Sequence, residues 1–318
     1  MTNRYPTVLV TGAAGLIGSA VVRRLRARGS RVVACDDFSI GTWRHEEDGI
    51  QWDSFDVGDA SWPDRLASYA VHAVIHCAAH PGGRSLQEPS ENVRVNTLGS
   101  MRLFEGCARA HVPVVYLSSS AVYGEQPAVP IPEAATLRPA TVYAACKVAC
   151  EHFLRILAAG YGLQWTALRL FATYGAGHRP SKHQGIVNVM LTQLLEGNQV
   201  VVRGSLDRVR DIVYVEDTAR AIVECLVNNA TRGQALNVGT GVELTIRRLI
   251  EMLCRLLGRS MDDITITEQA PTVGDPQYNV ADVTQLTTLT GFTPEYAVEQ
   301  GLEHLVQARM RVAGAGAV

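Results

Sequence analysis

The feature that most constrains this chain is a glycine series near its start. In VLVTGAAGLIGS, Gly12, Gly15 and Gly18 fall between a β-branched run over Thr7–Thr11 and an amphipathic helical pattern over Leu16–Arg28. A strand that turns tightly into a helix gathers backbone N–H groups and the helix's positive end at one point, where a pyrophosphate can sit. The spacing is GxxGxxG, not the general GxGxxG, and three glycines alone also make ordinary turns. The context sharpens the signal. A second β-branched run, Arg31–Cys35, leads into Asp36, where a carboxylate accepts hydrogen bonds from the ribose hydroxyls of an adenosine. A 2′-phosphate there would meet like charge, which points to NAD over NADP. Asp37 shares that role or caps the loop. Asp56, in SFDVGD, falls at the interval of the adenine edge, and an Asx turn explains it equally well.

Further strand patterns at Ala73–Cys77, Val114–Ser118 and Gln164–Leu170 alternate with helical patterns at Asn92–Ala110 and Val142–Gly160. Short apolar strands alternating with helices predict an α/β fold, a doubly wound parallel sheet covered on both faces. After residue 175 the pattern loosens. A loop over Gly175–Gly185 precedes a helix at Ile186–Glu196 and a strand at Gln199–Arg203. Helices near Asp217–Asn228 and Thr245–Leu257 follow, then a Pro/Gly-rich stretch at Pro271–Pro276. The expected division is a dinucleotide-binding Rossmann domain over 1–175, with contributions from about 205–240. Residues 176–318 would form mainly a smaller C-terminal α/β lobe over the substrate.

Composition narrows the partners. With 318 residues and a formal charge of −2, the chain offers no electrostatic case for nucleic acid or an anionic membrane. No apolar stretch is long enough to span a bilayer, and the N-terminus enters a strand pattern at once, so a cytoplasmic location is expected. The seven cysteines contain no CxxC pair, which suits buried apolar residues in a reducing compartment and predicts no metal site.

The strongest chemical signal is TVYAACKVACEHF. Tyr143 and Lys147 stand one helical turn apart and share a face. With 10 tyrosines and two lysines in 318 positions, chance supplies about 0.06 such pairs. Of 29 basic residues only Lys147 and Lys182 are lysine, so a site that tolerated any cation would carry arginine. An ammonium can hydrogen-bond ribose hydroxyls while favouring ionisation of a neighbouring phenol. A phenol acting as base near neutrality needs positive charge worth about 4 kcal/mol, for which Lys147 and a nicotinamide ring are the sources. Upstream, VVYLSSSAVYG ends a strand in three serines, where hydroxyls face the crevice of a doubly wound sheet and can relay a proton to Tyr143.

With these motifs in hand, the chain resembles the extended short-chain dehydrogenase/reductases, in the NAD-dependent nucleotide-sugar epimerase/dehydratase family. TGAAGLIGS, CDDFS, VIHCAA, SSSAVYG, YAACK, LRLFATYG and RDIVYVEDTARA occur in family order, and the likeness runs from Thr7 to about residue 310. The resemblance implies Ser119, Tyr143 and Lys147 as catalytic residues, with Ser120 accessory on the substrate. It implies NAD on Gly12, Gly15, Leu16, Ile17, Gly18, Asp36, Asp37, Asp56 and Val57, then on Ala78, Ala79, Asn96, Ser118, Tyr143, Lys147 and Phe171. Arg210 would clamp a diphosphate, with Asp275 also on the substrate. The implied partners are a nucleotide-diphosphate sugar and a second copy of the chain, paired through the helices at 92–110 and 142–160.

Three departures from the family pattern stand out. Dehydratases keep Asp-Glu where this chain has Ser120 and Ala121, which disfavours 4,6-dehydration. Ala172 replaces an Asn that contacts the sugar nucleotide, and Thr272 replaces an Arg that contacts phosphate. The loop after Ala79 reads HPGGRS where Ser-Val is common. His80, Arg84, His178, Arg179 and His183 fall in loops near the expected pocket, where single His and Arg residues are most often solvated. The reading is C4 epimerisation of a UDP-hexose type substrate. A 4-ketoreductase that consumes NAD(P)H is the alternative, and a non-catalytic NAD sensor a more distant one.

Overall fold

The computed structural model describes residues 5–127, 130–177, 180–181 and 184–315, without the side chains of 63–64 and 312–315. Its first strands follow the predicted alternation: β1 (Thr7–Thr11), α1 (Leu16–Ala27), β2 (Arg31–Asp36), β3 (Ile50–Ser54), α2 (Trp62–Tyr69) and β4 (Ala73–His76). Then come α3 (Pro89–Val93), α4 (Ser100–Ala110), β5 (Val114–Ser119), α5 (Val142–Tyr161), β6 (Trp165–Leu170) and β7 (Ala172–Tyr174). Among the described residues, seven strands form one sheet in the order β11-β6-β5-β4-β1-β2-β3, and its neighbouring strands pair in parallel. This is the Rossmann-type α/β sheet. Every residue of β1 and β6 is buried, as a sheet covered on both faces requires.

Successive residues of a strand point to opposite faces. Val8 and Val10 therefore enter the core shared with Val21 and Leu25 of α1, while Leu9 enters the core shared with Phe104 of α4 and Leu154 of α5. Each such apolar side chain contributes about 1.5–3 kcal/mol on burial. Strand order reverses between β1 and β4, so connections leave the carboxyl ends of these two strands in opposite directions. The crevice this opens is where ligands bind in such sheets.

The second half adds α6 (Ile186–Glu196), β8 (Gln199–Arg203), β9 (Val209–Arg210), β10 (Ile212–Tyr214), α7 (Val215–Val227) and β11 (Gln234–Val238). It ends with β12 (Leu244–Thr245), α8 (Ile246–Leu256), β13 (Thr265–Gln269), β14 (Tyr278–Asn279), α9 (Thr284–Thr290) and α10 (Val298–Ala315). β11 returns to the main sheet beside β6. The others make small sheets: β12-β9-β14, β13-β8 and β10-β7.

The helix expected over 92–110 differs. It starts at Pro89, whose fixed φ suits a first helical turn, and passes through a π-helical turn, Arg94–Gly99, before α4. Gly99 explains how the widened turn packs: a Cβ there would come within 2.5 Å of the Val57 carbonyl oxygen. β3 was not visible as a strand pattern because it is only half buried.

Candidate active site

The glycine turn is built by close contact of backbone on backbone. Gly12 takes φ +64°, and a Cβ on it would lie 2.7 Å from the Ala78 backbone; a Cβ on Gly18 would overlap the Gly12 carbonyl. These two glycines therefore hold β1, α1 and the end of β4 together, leaving the N-terminus of α1 facing the crevice. A cavity of about 710 Å³ opens there, within the range of cofactor sites. Gly12, Gly15, Leu16, Ile17, Gly18, Asp36, Asp37, Val57, Ala78 and Ala79 line one stretch of it; Ser118, Ser119, Tyr143, Lys147 and Phe171 also line it. One continuous space thus joins the glycine turn to the Tyr/Lys pair.

Asp36 is buried, and its two carboxylate oxygens accept hydrogen bonds from Ala14 N (2.9 Å) and Phe38 N (2.8 Å). Burial raises its pKa, and the two N–H donors oppose that rise. Asp37 spends Oδ1 on Ser39 N and Oγ, as a loop cap does. Asp56 accepts Gly58 N at 2.7 Å in an Asx turn and pairs with Arg94 at 2.8 Å. Its neighbours Phe55 and Val57 line the cavity, whereas Asp56 is not among the lining residues.

At the other end, α5 is capped by Thr141, whose hydroxyl accepts Ala144 N. The helix then presents Tyr143, Lys147 and Glu151 at successive turns. Lys147 is 3% exposed; its Nζ donates to Leu117 O at 2.7 Å and lies 5.5 Å from the centre of the Tyr143 ring. An ammonium has three donors, so two remain for the cavity it lines. Gly82 packs on the face of the phenol: a Cβ there would come within 3.1 Å of the Tyr143 ring. Ser119 lines the cavity and accepts Ala121 N.

Behind these groups lies a buried polar network. Glu151, with no exposed surface, receives the Ser118 hydroxyl at 2.7 Å and both Nε and an NH2 of Arg169 at 3.0 and 2.7 Å. Arg169 continues to Tyr123 Oη, which donates to Asn237. Ser118 therefore faces the cavity with its backbone, its hydroxyl being turned inward. Asn96 stands behind the cavity and brackets His80: its Oδ1 accepts His80 N and its Nδ2 donates to His80 O.

In the smaller sheets, Arg208 and Arg210 both pair with Asp275. Burial, then the neighbouring Arg208 charge, pushes Arg210 down to about 10. Asn279, paired in register with Arg210, donates Nδ2 to Ser120 Oγ at 3.0 Å, and its buried Oδ1 has no partner.

Residues 8–239 match the model of the NAD-dependent epimerase/dehydratase family. The chain belongs to that family. A UDP-glucose 4-epimerase of Mycolicibacterium smegmatis is 34% identical over 307 residues, covering 94% of this chain and 97% of that protein. The crystal structure of Thermus thermophilus UDP-glucose 4-epimerase in complex with NAD superposes with a TM-score of 0.87 at 30% identity, over 95% of this chain and 98% of that one. MoeE5, solved with UDP-glucuronic acid and NAD, gives 0.85 at 32% identity, over 96% and 99%. NAD is the cofactor of this epimerase-family chain, and the glycine cradle and the volume of the cavity fit it.

Of the loop residues noted from the sequence, His80 lines the cavity but is held by Asn92 (3.0 Å) and Glu88 (2.6 Å). Arg84 lines it as well. His178, Arg179 and His183 lie outside the described residues. Glu151, Arg169, Arg208 and Asn279 went unnoticed. Glu151 continues the Tyr143/Lys147 face and was the one with a local signal; the other three depend on partners far away in sequence.

Proposed function

We propose that this chain epimerises C4 of a nucleotide-diphosphate hexose, as a UDP-hexose 4-epimerase does, with Tyr143 as its base and acid. Lys147 is the observation that carries the reading. Its buried ammonium sits one turn from the phenol, is tied to the sheet by a single bond to Leu117 O, and lines the same cavity as the glycine turn. An ammonium so placed offers hydrogen bonds to cofactor ribose hydroxyls beside the phenol.

In this reading Tyr143 takes the proton of the C4 hydroxyl, directly or through Ser119, whose Oγ hydrogen-bonds that hydroxyl. Bound NAD supplies reversible hydride removal at C4. The keto sugar turns about its link to the diphosphate, which Arg210 holds, and Tyr143 returns the proton after reduction on the other face. Residues 1–175, with the strand and helix contributed from about 205–240, hold the cofactor. Residues 176–318 mainly cover the sugar nucleotide and keep water from the keto sugar. Two copies pair through α3–α4 and α5, where Leu98 and Ile156 are 44% and 64% exposed; light scattering should return twice the mass of one 34.4 kDa chain.

The test offers UDP-glucose, UDP-N-acetylglucosamine and UDP-glucuronate to the purified protein and follows 4-epimer formation by NMR without added cofactor. UDP-glucuronate is included because MoeE5 was solved with UDP-glucuronic acid. At least one should convert, and Tyr143→Phe should abolish conversion while keeping its NAD. Conversion at the wild-type rate in Tyr143→Phe would refute the role. A requirement for stoichiometric NADH would favour a ketoreductase.

A further inference from the structure

Beside the catalytic cavity lies a second one, of about 500 Å³, lined by Arg208, Asp275, Glu125 and Glu268 among others. At its edge two buried cations meet on Asp275: Arg208, which lines the cavity, and Arg210 behind it. Arg208 and Arg210 are two positions apart in an extended segment, so both project to one side. Their side chains are 4% and 8% exposed, and both reach the single carboxylate of Asp275. The pair is therefore short of one negative charge at a place shielded from water. Glu125 acts on Arg210 from a distance, but neither it nor Glu268 pairs with an arginine: both are exposed and turned to backbone N–H groups, of Gln277 and Leu206, where solvent screens them.

The position of Arg208 is prepared. Gly204 takes φ +91°, and a Cβ on it would sit 2.9 Å from Arg208 Nε and 3.0 Å from its Cζ. A side chain on residue 204 would push the guanidinium away; the glycine lets it lie flat against the backbone while Nε donates to Ser205 O.

Two links tie this cluster to the catalytic end. Asn279, next to Arg210 in the sheet, donates to Ser120. Gly274, in the Asp275 turn, packs against Thr141, two residues before Tyr143: a Cβ on it would come within 2.7 Å of Thr141 Cγ2. These contacts bring the arginine cluster up to the two segments that carry Ser119 and Tyr143.

We infer that Arg208 is a second binding residue for the substrate's diphosphate, acting with Arg210, and that it supplies here the guanidinium that Thr272 does not. Asp275 holds the two arginines in place and leaves them a net positive charge for the dianion. A guanidinium fork matches phosphate oxygens, which an ammonium cannot do as well. The inference rests on the nucleotide-diphosphate reading above.

Calorimetry with UDP and with uridine on the NAD-loaded protein tests it. Arg208→Gln should weaken UDP about tenfold to a hundredfold, the usual worth of a charged hydrogen bond, and leave uridine nearly unchanged. Bound NAD per chain should stay at the wild-type level, showing an intact fold. Adding Thr272→Arg to Arg208→Gln should restore UDP affinity, since residue 272 shares the turn in which Asp275 N donates to Thr272 O. Should Arg208→Gln fail to fold, Arg208→Lys keeps the charge but not the fork and should weaken UDP several-fold. UDP affinity at the wild-type level in either variant, or equal loss of UDP and uridine, overturns the assignment. If wild-type protein binds no UDP, the nucleotide-diphosphate reading falls, and this inference with it.

Discussion

The glycine-turn end of this molecule and the end built from its small sheets are held by different kinds of contact. At the glycine turn, backbone lies on backbone: Gly12 against Ala78 and Gly18 against Gly12. The buried carboxylate there, Asp36, is held by backbone N–H groups, and farther back Glu151 pairs with Arg169 between α5 and β6. Across the small sheets, the contacts are side-chain ions from distant segments, such as Arg208 and Asp275, with Asp275 32% exposed. One end is shaped by the chain's course and the other by groups that can change without disturbing that course. This explains how one scaffold keeps NAD while the rest of the chain departs from the family pattern at Ala172 and Thr272.

Four measurements would break or sharpen that contrast. The largest effect belongs to the Tyr/Lys pair. Lys147→Met should lower kcat about 10²–10⁴-fold in an NMR epimerisation assay while the chain stays folded by circular dichroism. A smaller loss would mean that another charge serves the phenol. Next is the buried pair. Glu151→Ala strands Arg169, 3% exposed, and should cost about 3–5 kcal/mol in denaturant unfolding.

Acid should act first on the same half. His76 is buried between Thr11 Oγ1 (2.7 Å) and Ser100 Oγ (2.9 Å). Burial, helped by the Lys147 charge, pushes its pKa down to about 3. The unfolded chain then takes up a proton, near pH ~6.5, that the folded one refuses. Stability falls as the pH drops from about 6.5 towards 3, by up to ~1.4 kcal/mol per unit. His76→Gln should flatten that slope, and an unchanged slope would assign it to other groups. The smallest effect is in the lobe: Asp275→Ala should cost about 1–2 kcal/mol, less than Glu151→Ala, because Asp275 itself is 32% exposed and the two guanidiniums keep the carbonyl acceptors of Ser205 and Val209. A loss equal to that of Glu151→Ala would erase the distinction between the ends.

How much was legible in the sequence follows from the same contrast. Glycine spacing, the Tyr143/Lys147 turn and the strand alternation are local patterns, and the structure places them as those patterns require. Asp36 stood out because it ends a strand in the right order, and it lines the cavity. Asp56 was ambiguous for a local reason: it makes the Asx turn that one reading named, and it pairs with Arg94. The π-helical turn at Arg94–Gly99 could not be read, since what determines its packing is the Val57 carbonyl across the fold. Arg208 looked like one arginine among many; its partner Asp275 lies 67 residues on. Glu151 sat in plain view in YAACKVACEHF, but spacing cannot tell a solvated carboxylate from one that is wholly buried.

The central claim is that hydride leaves and returns to the same carbon within one closed site. Whichever of the three UDP-sugars converts, prepared with deuterium at C4, tests it directly, with no cofactor added. The account predicts a 4-epimer that keeps its deuterium at C4, produced over many turnovers per chain. Product that has exchanged the label for solvent hydrogen, or that forms only once per bound cofactor, would contradict it.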